Sequence, residues 1–259
     1  MRSPMLLQVA QLARRSVIRT LRQPAVIVPS VLFPMLLLAV NSGGLQPATN
    51  LPGFPADSYL KFAFALPFLQ GTLFAATAAG TDLARDIETG FLSRLSLTPV
   101  RPAALLIGQL AGTVVLAVFQ GVVFLSIGLV IGVTPEAGVG GAVMLVLFMA
   151  LLALGFGGIG AWLALRTGNG EAVQGLFPLL FVGLFLSSLN LPRNLIETDW
   201  FRTVATLNPI SYMIEGIRSL IIMGWDAQAL ALGLGFGAGM VVIGLAASSS
   251  ALRTRMVRT

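Results

Sequence analysis

The sequence contains no cysteine, no histidine and a single lysine, and only 10% of its 259 residues are charged. Each absence removes a class of chemistry. Without Cys or His there is no ligand set for the usual zinc and iron sites, no thiol nucleophile and no Ser-His-Asp relay. Disulfides are excluded too, so cysteine usage says nothing about redox compartment. The one lysine, Lys61, sits in Ser58-Tyr59-Leu60-Lys61-Phe62. A P-loop needs its Lys at the end of G-x-x-x-x-G-K-[ST] to reach the terminal phosphates. This chain has no such loop, so it carries no P-loop ATPase of its own. The low charge content also excludes a soluble enzyme, because water-soluble domains carry about 25% charged residues.

What is abundant is apolar surface. Hydrophobic residues make up 56% of the chain, glycine adds 29 more residues, and the mean hydropathy is +0.90. No single water-exposed domain of this size hides so much apolar area, so lipid is the solvent for most of the chain. Six apolar stretches are candidates to cross a bilayer: Ala25–Val40, Leu60–Ala79, Ala103–Val133, Gly140–Leu165, Ala172–Leu191 and Ala227–Ser248. Pro24, Pro29, Pro34, Pro67 and Pro178 fall at or inside these stretches and are expected to kink them. No cleavable signal peptide is apparent.

The net charge of +6 reads as membrane orientation and not as nucleic-acid binding. Arg2, Arg14, Arg15, Arg19, Arg22, Arg85, Arg94, Arg101, Arg166, Arg253, Arg255 and Arg258 fall on one side of the six stretches. Lys61, Arg193, Arg202 and Arg218 fall on the other. The richer side marks the cytoplasm, which places both termini inside. Residues 4–22 precede the first span. Val9, Ala13, Val17 and Leu21 recur every fourth residue there, with Arg14, Arg15, Arg19 and Arg22 on the more polar side. That pattern describes an interfacial amphipathic helix against the anionic inner leaflet; a solvated basic tail is the alternative.

Gly155-Phe156-Gly157-Gly158-Ile159-Gly160 matches G-x-G-x-x-G, but in mid-span it favours close helix packing over dinucleotide binding. Gly128 with Gly132, Gly233 with Gly237 and Gly235 with Gly239 repeat the G-x-x-x-G spacing. Charge is almost absent within the spans. Ion-coupled transporters place ionisable groups there, and this chain offers Gln70, Gln109, Gln120 and Gln174 instead. Gln70, Gln109 and Gln120 are candidates to line a pathway, or else polar contacts between helices. No intramembrane catalytic cluster is visible and no metal site is expected. A passive channel stays open; otherwise the energy must come from an external partner.

Two loops carry the remaining information. The cytoplasmic segment 82–100 holds Asp82, Arg85, Asp86, Glu88 and Arg94. Leu83 and Ile87 sit at helical spacing, Gly90 interrupts, a second turn runs through Leu95, and Thr98-Pro99 closes it. A short charged helix with an apolar edge is a docking surface; a solvated connector is the bland alternative. The external segment 192–226 contains Asn208-Pro209, an N-cap followed by a first-turn proline. Ile210, Met213, Ile214, Ile217, Leu220 and Ile221 follow as an apolar stripe. Glu215 and Arg218, three residues apart on the other side, are expected to pair. Gly224 ends the helix, which is too short and too charged for a full span and reads as amphipathic or re-entrant.

At these loops the chain resembles ABC-2-type permeases, the membrane subunits of type V ABC exporters, and is most similar to daunorubicin-resistance permeases. The matching residues are Asp86-Ile87-Glu88-Thr89-Gly90-Phe91-Leu92-Ser93-Arg94-Leu95 with Thr98-Pro99-Val100, and Asn208-Pro209-Ile210-Ser211-Tyr212 with Glu215 and Arg218. Phe91 departs from the small residue expected after the glycine. The resemblance implies one all-α transmembrane domain over 1–259: six transmembrane helices, an N-terminal interfacial amphipathic helix (1–23) and an extracellular re-entrant helix before the last span. It implies that Arg85, Asp86, Glu88, Gly90 and Arg94, with Arg14, Arg15 and Arg19, contact a separate ABC ATPase subunit that binds ATP and Mg. It places Asn208, Pro209, Tyr212, Glu215 and Arg218 at an extracellular gate. It further implies a second permease subunit, identical or similar, and residence in a bacterial cytoplasmic membrane. The expected function is export of an amphipathic drug, lipid or glycolipid; a non-transporting six-span scaffold is the alternative.

Overall fold

The computed structural model describes residues 4–96 and 102–257. Ser3-Pro4 reads in the sequence as an N-cap followed by a first-turn proline, and its Ser3 lies outside the described residues, as do Thr98-Pro99-Val100 and Arg101. Among those described, the chain is all helical apart from turns. Helix α1 (Pro4–Leu21) leads into α2 (Pro24–Leu45). A 3-10 turn, Gln46–Asn50, and a loop then reach α3 (Tyr59–Ala63) and α4 (Ala65–Glu88). Next come α5 (Phe91–Ser96), α6 (Pro102–Val130), α7 (Gly138–Thr167) and α8 (Gly170–Phe185). The last group is α9 (Asp199–Leu207), α10 (Pro209–Ile222) and α11 (Ala227–Val257). The protein is a polytopic all-α membrane protein.

Among the described residues, five helical segments are long and apolar enough to cross a bilayer: 24–50, 59–88, 103–130, 138–167 and 227–255. The fifth stretch expected from sequence, Ala172–Leu191, is a shorter helix. α8 stops at Phe185 after 16 residues, about 24 Å of helix at 1.5 Å per residue. Its end is stitched by side chains. Ser187 Oγ donates to the Leu184 carbonyl, and Asn208 Nδ2 donates to the carbonyls of Gly183 at 2.6 Å and Leu186 at 3.0 Å. Those carbonyls have no further helical turn to bond. Hydropathy saw only that Leu186, Leu189 and Leu191 continue the apolar run. The last helix runs longer than its apolar part, to Val257.

α7 is the hub. Its glycine run lets the backbones of α4 and α11 come close and seats α6 side chains on Gly157. A Cβ added at Gly158 would lie 2.8 Å from the Gly244 carbonyl carbon of α11, and one at Gly160 would lie 2.8 Å from the Ala76 oxygen of α4. Packing this close replaces the hydrophobic drive that lipid cannot supply. The other glycine pairs divide. Gly233 and Gly237 pack against α10 and α7, Gly128 meets Phe64, Gly132 serves a turn at φ +86°, and Gly235 and Gly239 meet nothing within 4 Å.

The segment running through α3 and α4 is the most buried of the five. Tyr59, Phe62, Phe64, Phe68, Leu69 and Leu73 are all sealed in the core. The helix breaks at Phe64, between α3 and α4. Pro67 supplies the cause, since it has no N–H to return to the Ala63 carbonyl. α2, with Pro29 and Pro34 inside it, leaves Val28, Leu32, Phe33, Leu36 and Val40 exposed.

Candidate functional site

The charged residues collect at the two ends of the bundle. At the end carrying α1 and α5, the N-terminal helix is docked and not merely laid on a surface. Gly108 and Gly112 of α6 form its seat: a Cβ at either would collide with Leu12 or Ser16. Ser16 Oγ donates to the Gln109 carbonyl at 2.8 Å. The outward face of α1 keeps Leu6, Leu7, Ile18 and Leu21 exposed, an apolar surface suited to a bilayer.

Arg15 and Arg19, on the more polar side of α1, turn inward to α4. Arg15 grips Asp86 with both ends of its guanidinium, Nη1 to Oδ2 at 2.9 Å and Nη2 to Oδ1 at 2.8 Å. Arg19 Nη1 donates to Asp86 Oδ1 at 2.9 Å, and its Nη2 meets the Asp82 carboxylate at 2.8 Å and the Asp82 carbonyl at 3.1 Å. Gln23 Nε2 adds a bond to Asp82 Oδ1 at 3.3 Å. Asp86 is only 5% exposed. Its hydrogen bonds raise the Arg15 pKa above its usual value, against the burial that works to lower it. Phe91, the departure noted above, lies under the same guanidinium, 3.9 Å from ring centre to Arg15 Cζ. Bidentate Arg–carboxylate geometry fixes orientation as well as charge. α1 is therefore clamped to the end of α4 and to the first residue of α5.

The helix break at Gly90 falls as expected, with φ +70°, the left-handed conformation that glycine adopts freely. Arg94 bonds back to the carbonyls of Gly90 and Thr89 at 3.4 and 3.3 Å. Glu88 Oε1 accepts from the Gly170 N–H at 3.1 Å, tying this end of α4 to the start of α8. Arg14, Arg85, Glu88 and Arg94 remain exposed. The charged set thus splits into an internal clamp (Arg15, Arg19, Asp82, Asp86) and an exposed rim (Arg14, Arg85, Glu88, Arg94). Sequence reading named all but Asp82 as site residues and missed the split. The signal was present: Arg15 and Arg19 are four apart, and so are Asp82 and Asp86, the spacing of one helix face on each side.

At the opposite end, Asn208 caps α10 as expected, its Oδ1 accepting from the Ile210 N–H at 2.9 Å, with Pro209 in the first turn. α10 is buried on both its apolar stripe and its polar side, Ser211, Arg218 and Ser219 included. The expected Glu215–Arg218 pair does not form. Glu215 pairs with Arg193 at 2.5 Å, and Arg193 also lies over the Tyr212 ring at 4.4 Å. Tyr212 donates to the Thr206 carbonyl at 2.9 Å and stacks on Phe236. Arg218 is 6% exposed and bonds to carbonyls only: Nε to Phe62 at 3.1 Å, Nη1 and Nη2 to Ser188 at 3.1 and 3.2 Å, and Nη2 to Leu189 at 2.9 Å. Its guanidinium covers the Phe62 ring at 3.6 Å. Sequence spacing favoured the local pair because Arg193 is 22 residues away.

Gln70 and Gln120 sit in the packed core, Gln109 is half-buried and Gln174 is exposed. Gln120 Nε2 donates to Ser30 Oγ of α2 at 2.7 Å, a contact between helices. Gln70 is fully buried, and neither of its amide atoms has a hydrogen-bond partner among the described residues. Gln109 borders a hollow of about 10 Å³ that Thr20, Asp82 and Thr113 also line, room for about one water. Among the described residues no cluster of acidic side chains is placed to hold a metal ion.

Residues 7–222 match the family model described as ABC-2 type transporter. A protein carrying the name transport permease ycf38, from Porphyra purpurea, is 24% identical over 96% of this chain and 90% of its own length. The doxorubicin resistance ABC transporter permease protein DrrC of Mycobacterium tuberculosis is 24% identical over 81% of this chain and 75% of its own. A ycf38 permease from Cyanophora paradoxa is 27% identical over 81% and 72%.

Proposed function

The chain belongs to the ABC-2 type transporter family, and from that premise we propose that it is the membrane-spanning permease subunit of an ATP-driven exporter. ATP and Mg are handled by a separate nucleotide-binding subunit docked on the exposed rim of Arg14, Arg85, Glu88 and Arg94. Two permease subunits, identical or similar, complete the membrane domain, with both termini on the cytoplasmic side of a bacterial inner membrane. The cargo is an amphipathic drug, lipid or glycolipid; the name of the mycobacterial relative favours a drug.

The observation that carries this reading is the clamp. A push on α5 and the 88–90 turn cannot be absorbed locally, because Asp86 is held by two arginines of α1 and by the turn of α4 beneath it. Glu88 passes the same displacement to α8 through Gly170. α4 runs from this end through the most buried part of the core to the break at Phe64. Movement of the rim is thereby delivered to the packed spans. α8 and α2 border an aromatic row: Phe177, Phe181 and Phe185 lie along one face of α8, and Phe33 of α2 and Phe74 of α4 touch it. Such a row offers an amphipathic cargo a continuous apolar contact.

The test is to purify the chain from native membranes with its bound ATPase and measure turnover with and without the Glu88→Lys variant. The reading expects a cytosolic ATPase whose turnover depends on this chain, and loss of export in the variant with membrane insertion intact. A scaffold would show no ATPase whose turnover responds to the chain.

A further inference from the structure

Beside the clamp, α1, α4 and α6 converge on the hollow of about 10 Å³ that Gln109 borders. Ser16 and Thr20 of α1, Asp82 of α4 and Thr113 of α6 form its polar wall, and Leu116 of α6 forms part of its apolar one. The volume admits one water molecule and nothing larger. Coupling to an ATPase makes no use of it.

Thr113 makes this hollow a site. It is 4% exposed, and its hydroxyl has no hydrogen-bond partner among the described residues. In a helix a threonine hydroxyl commonly bonds to a carbonyl one turn back. The carbonyl four residues before Thr113 is that of Gln109, which serves the helix and also accepts from Ser16 Oγ at 2.8 Å. The methyl of Thr113 is held on the other side, since a Cβ at Gly157 of α7 would lie 3.2 Å from Thr113 Cγ2. With the methyl against α7 and the backbone acceptor taken, the hydroxyl is left to the hollow. A buried hydroxyl without a partner is costly. Asp82 offers the matching acceptor: Gln23 and Arg19 both meet its Oδ1, which leaves Oδ2 with lone pairs to give. Arg19 also neutralises that carboxylate, and Asp82 is the one charged residue in the lining among the described residues. The site therefore suits a small neutral occupant that both donates and accepts.

We propose that the hollow is a binding site for one water molecule, which accepts a hydrogen bond from the Thr113 hydroxyl and donates to Asp82 Oδ2 and Ser16 Oγ. Three partners are the usual number for a buried water, and here each comes from a different helix. The water extends the clamp to α6, so that α1, α4 and α6 are joined at one point. This goes beyond the coupling reading and does not depend on it, since the chain would hold the water with or without an ATPase.

The experiment is radiolytic labelling of the full chain in detergent, read by mass spectrometry. An X-ray pulse turns water into hydroxyl radicals, and a bound water marks the side chains against it even where bulk solvent does not reach. Leu116 and Phe148 of α7 are both sealed from solvent, but only Leu116 lines the hollow. The expected result is a Leu116 label at least tenfold above that of Phe148. Thr113→Val keeps the methyl and removes the hydroxyl; it should cut the Leu116 label at least tenfold and lower the Tm. Thr113→Ser keeps the hydroxyl and should keep the label. A Leu116 label no greater than that of Phe148, or one unchanged in Thr113→Val, overturns the proposal. So does a higher Tm in Thr113→Val, the result for a hydroxyl buried dry. The comparison of Leu116 with Phe148 stands even where Thr113→Val fails to fold. A Tm raised by sodium over choline at equal ionic strength, and no longer so in Thr113→Val, overturns water as the occupant and assigns the site to a cation.

Discussion

Arg15 and Asp86 stand 71 positions apart in the chain and meet through two parallel hydrogen bonds of 2.8 and 2.9 Å. The contact joins the helix before the first span to the end of the second. With the bonds from Arg19 to Asp82 and Asp86 it holds α1 to α4, while other parts of α1 pack on α6. Asp86→Asn keeps the shape of the carboxylate but leaves two guanidinium groups facing a neutral amide. Charged hydrogen bonds of this kind contribute about 1.5–3 kcal/mol each when fully desolvated, and Arg15 is partly exposed, so the lower end applies. The expected outcome is a Tm lower by several degrees in detergent and faster proteolysis near residue 22. An unchanged Tm would show that the seat on α6 alone fixes α1.

Arg15→Lys separates charge from geometry. A lysine keeps the attraction but loses the two-pronged grip and the flat face over Phe91. The expected outcome is a small loss of stability, under about 1 kcal/mol by the scale of exposed ion pairs, with a clear loss of ATPase coupling. If coupling is untouched, the orientation of α1 has no part in transmission.

Much of the architecture was legible before any coordinates. The long spans follow from apolar runs, and Gly90, Gly224 and Asn208-Pro209 mark helix ends because each carries a local backbone reason. What was not legible is non-local. Arg193 reaches Glu215 across a loop whose path no periodicity encodes. The end of α8 depends on Asn208, which lies beyond the run it terminates. α9 was missed because nine residues give too short a window to separate a helix from a loop. Its exposed ridge of Trp200, Val204 and Leu207 becomes meaningful only once the helix is seen.

The glycines of α7 and α11 give a contrast that packing alone decides. Gly158→Ala places a methyl 2.8 Å from the Gly244 carbonyl carbon, so the helices must part. Such overpacking costs about 1–3 kcal/mol. Gly235→Ala and Gly239→Ala meet nothing within 4 Å and should raise helix stability by about 0.5–1 kcal/mol each. Thermal melts of the three variants check the order. A fall in stability at Gly235 or Gly239 that accompanies loss of a dimer in size-exclusion chromatography would place a second subunit against that face.

Because the chain has no cysteine, orientation can be tested with single introduced thiols and no background. Ser93 and Thr203 are both exposed and lie at opposite ends of the bundle, Ser93 in α5 and Thr203 in α9. The distribution of arginine predicts α5 inside and α9 outside. Thr203→Cys should therefore react with a membrane-impermeant maleimide in intact cells, and Ser93→Cys only after the membrane is opened. The pair also tests the span count. If the 16-residue α8 crosses the membrane, α5 and α9 are separated by three crossings (α6, α7 and α8) and must lie on opposite sides. If α8 enters and returns without crossing, only two crossings separate them, and both thiols label from the same side. Labelling from one side would thus remove α8 from the spans.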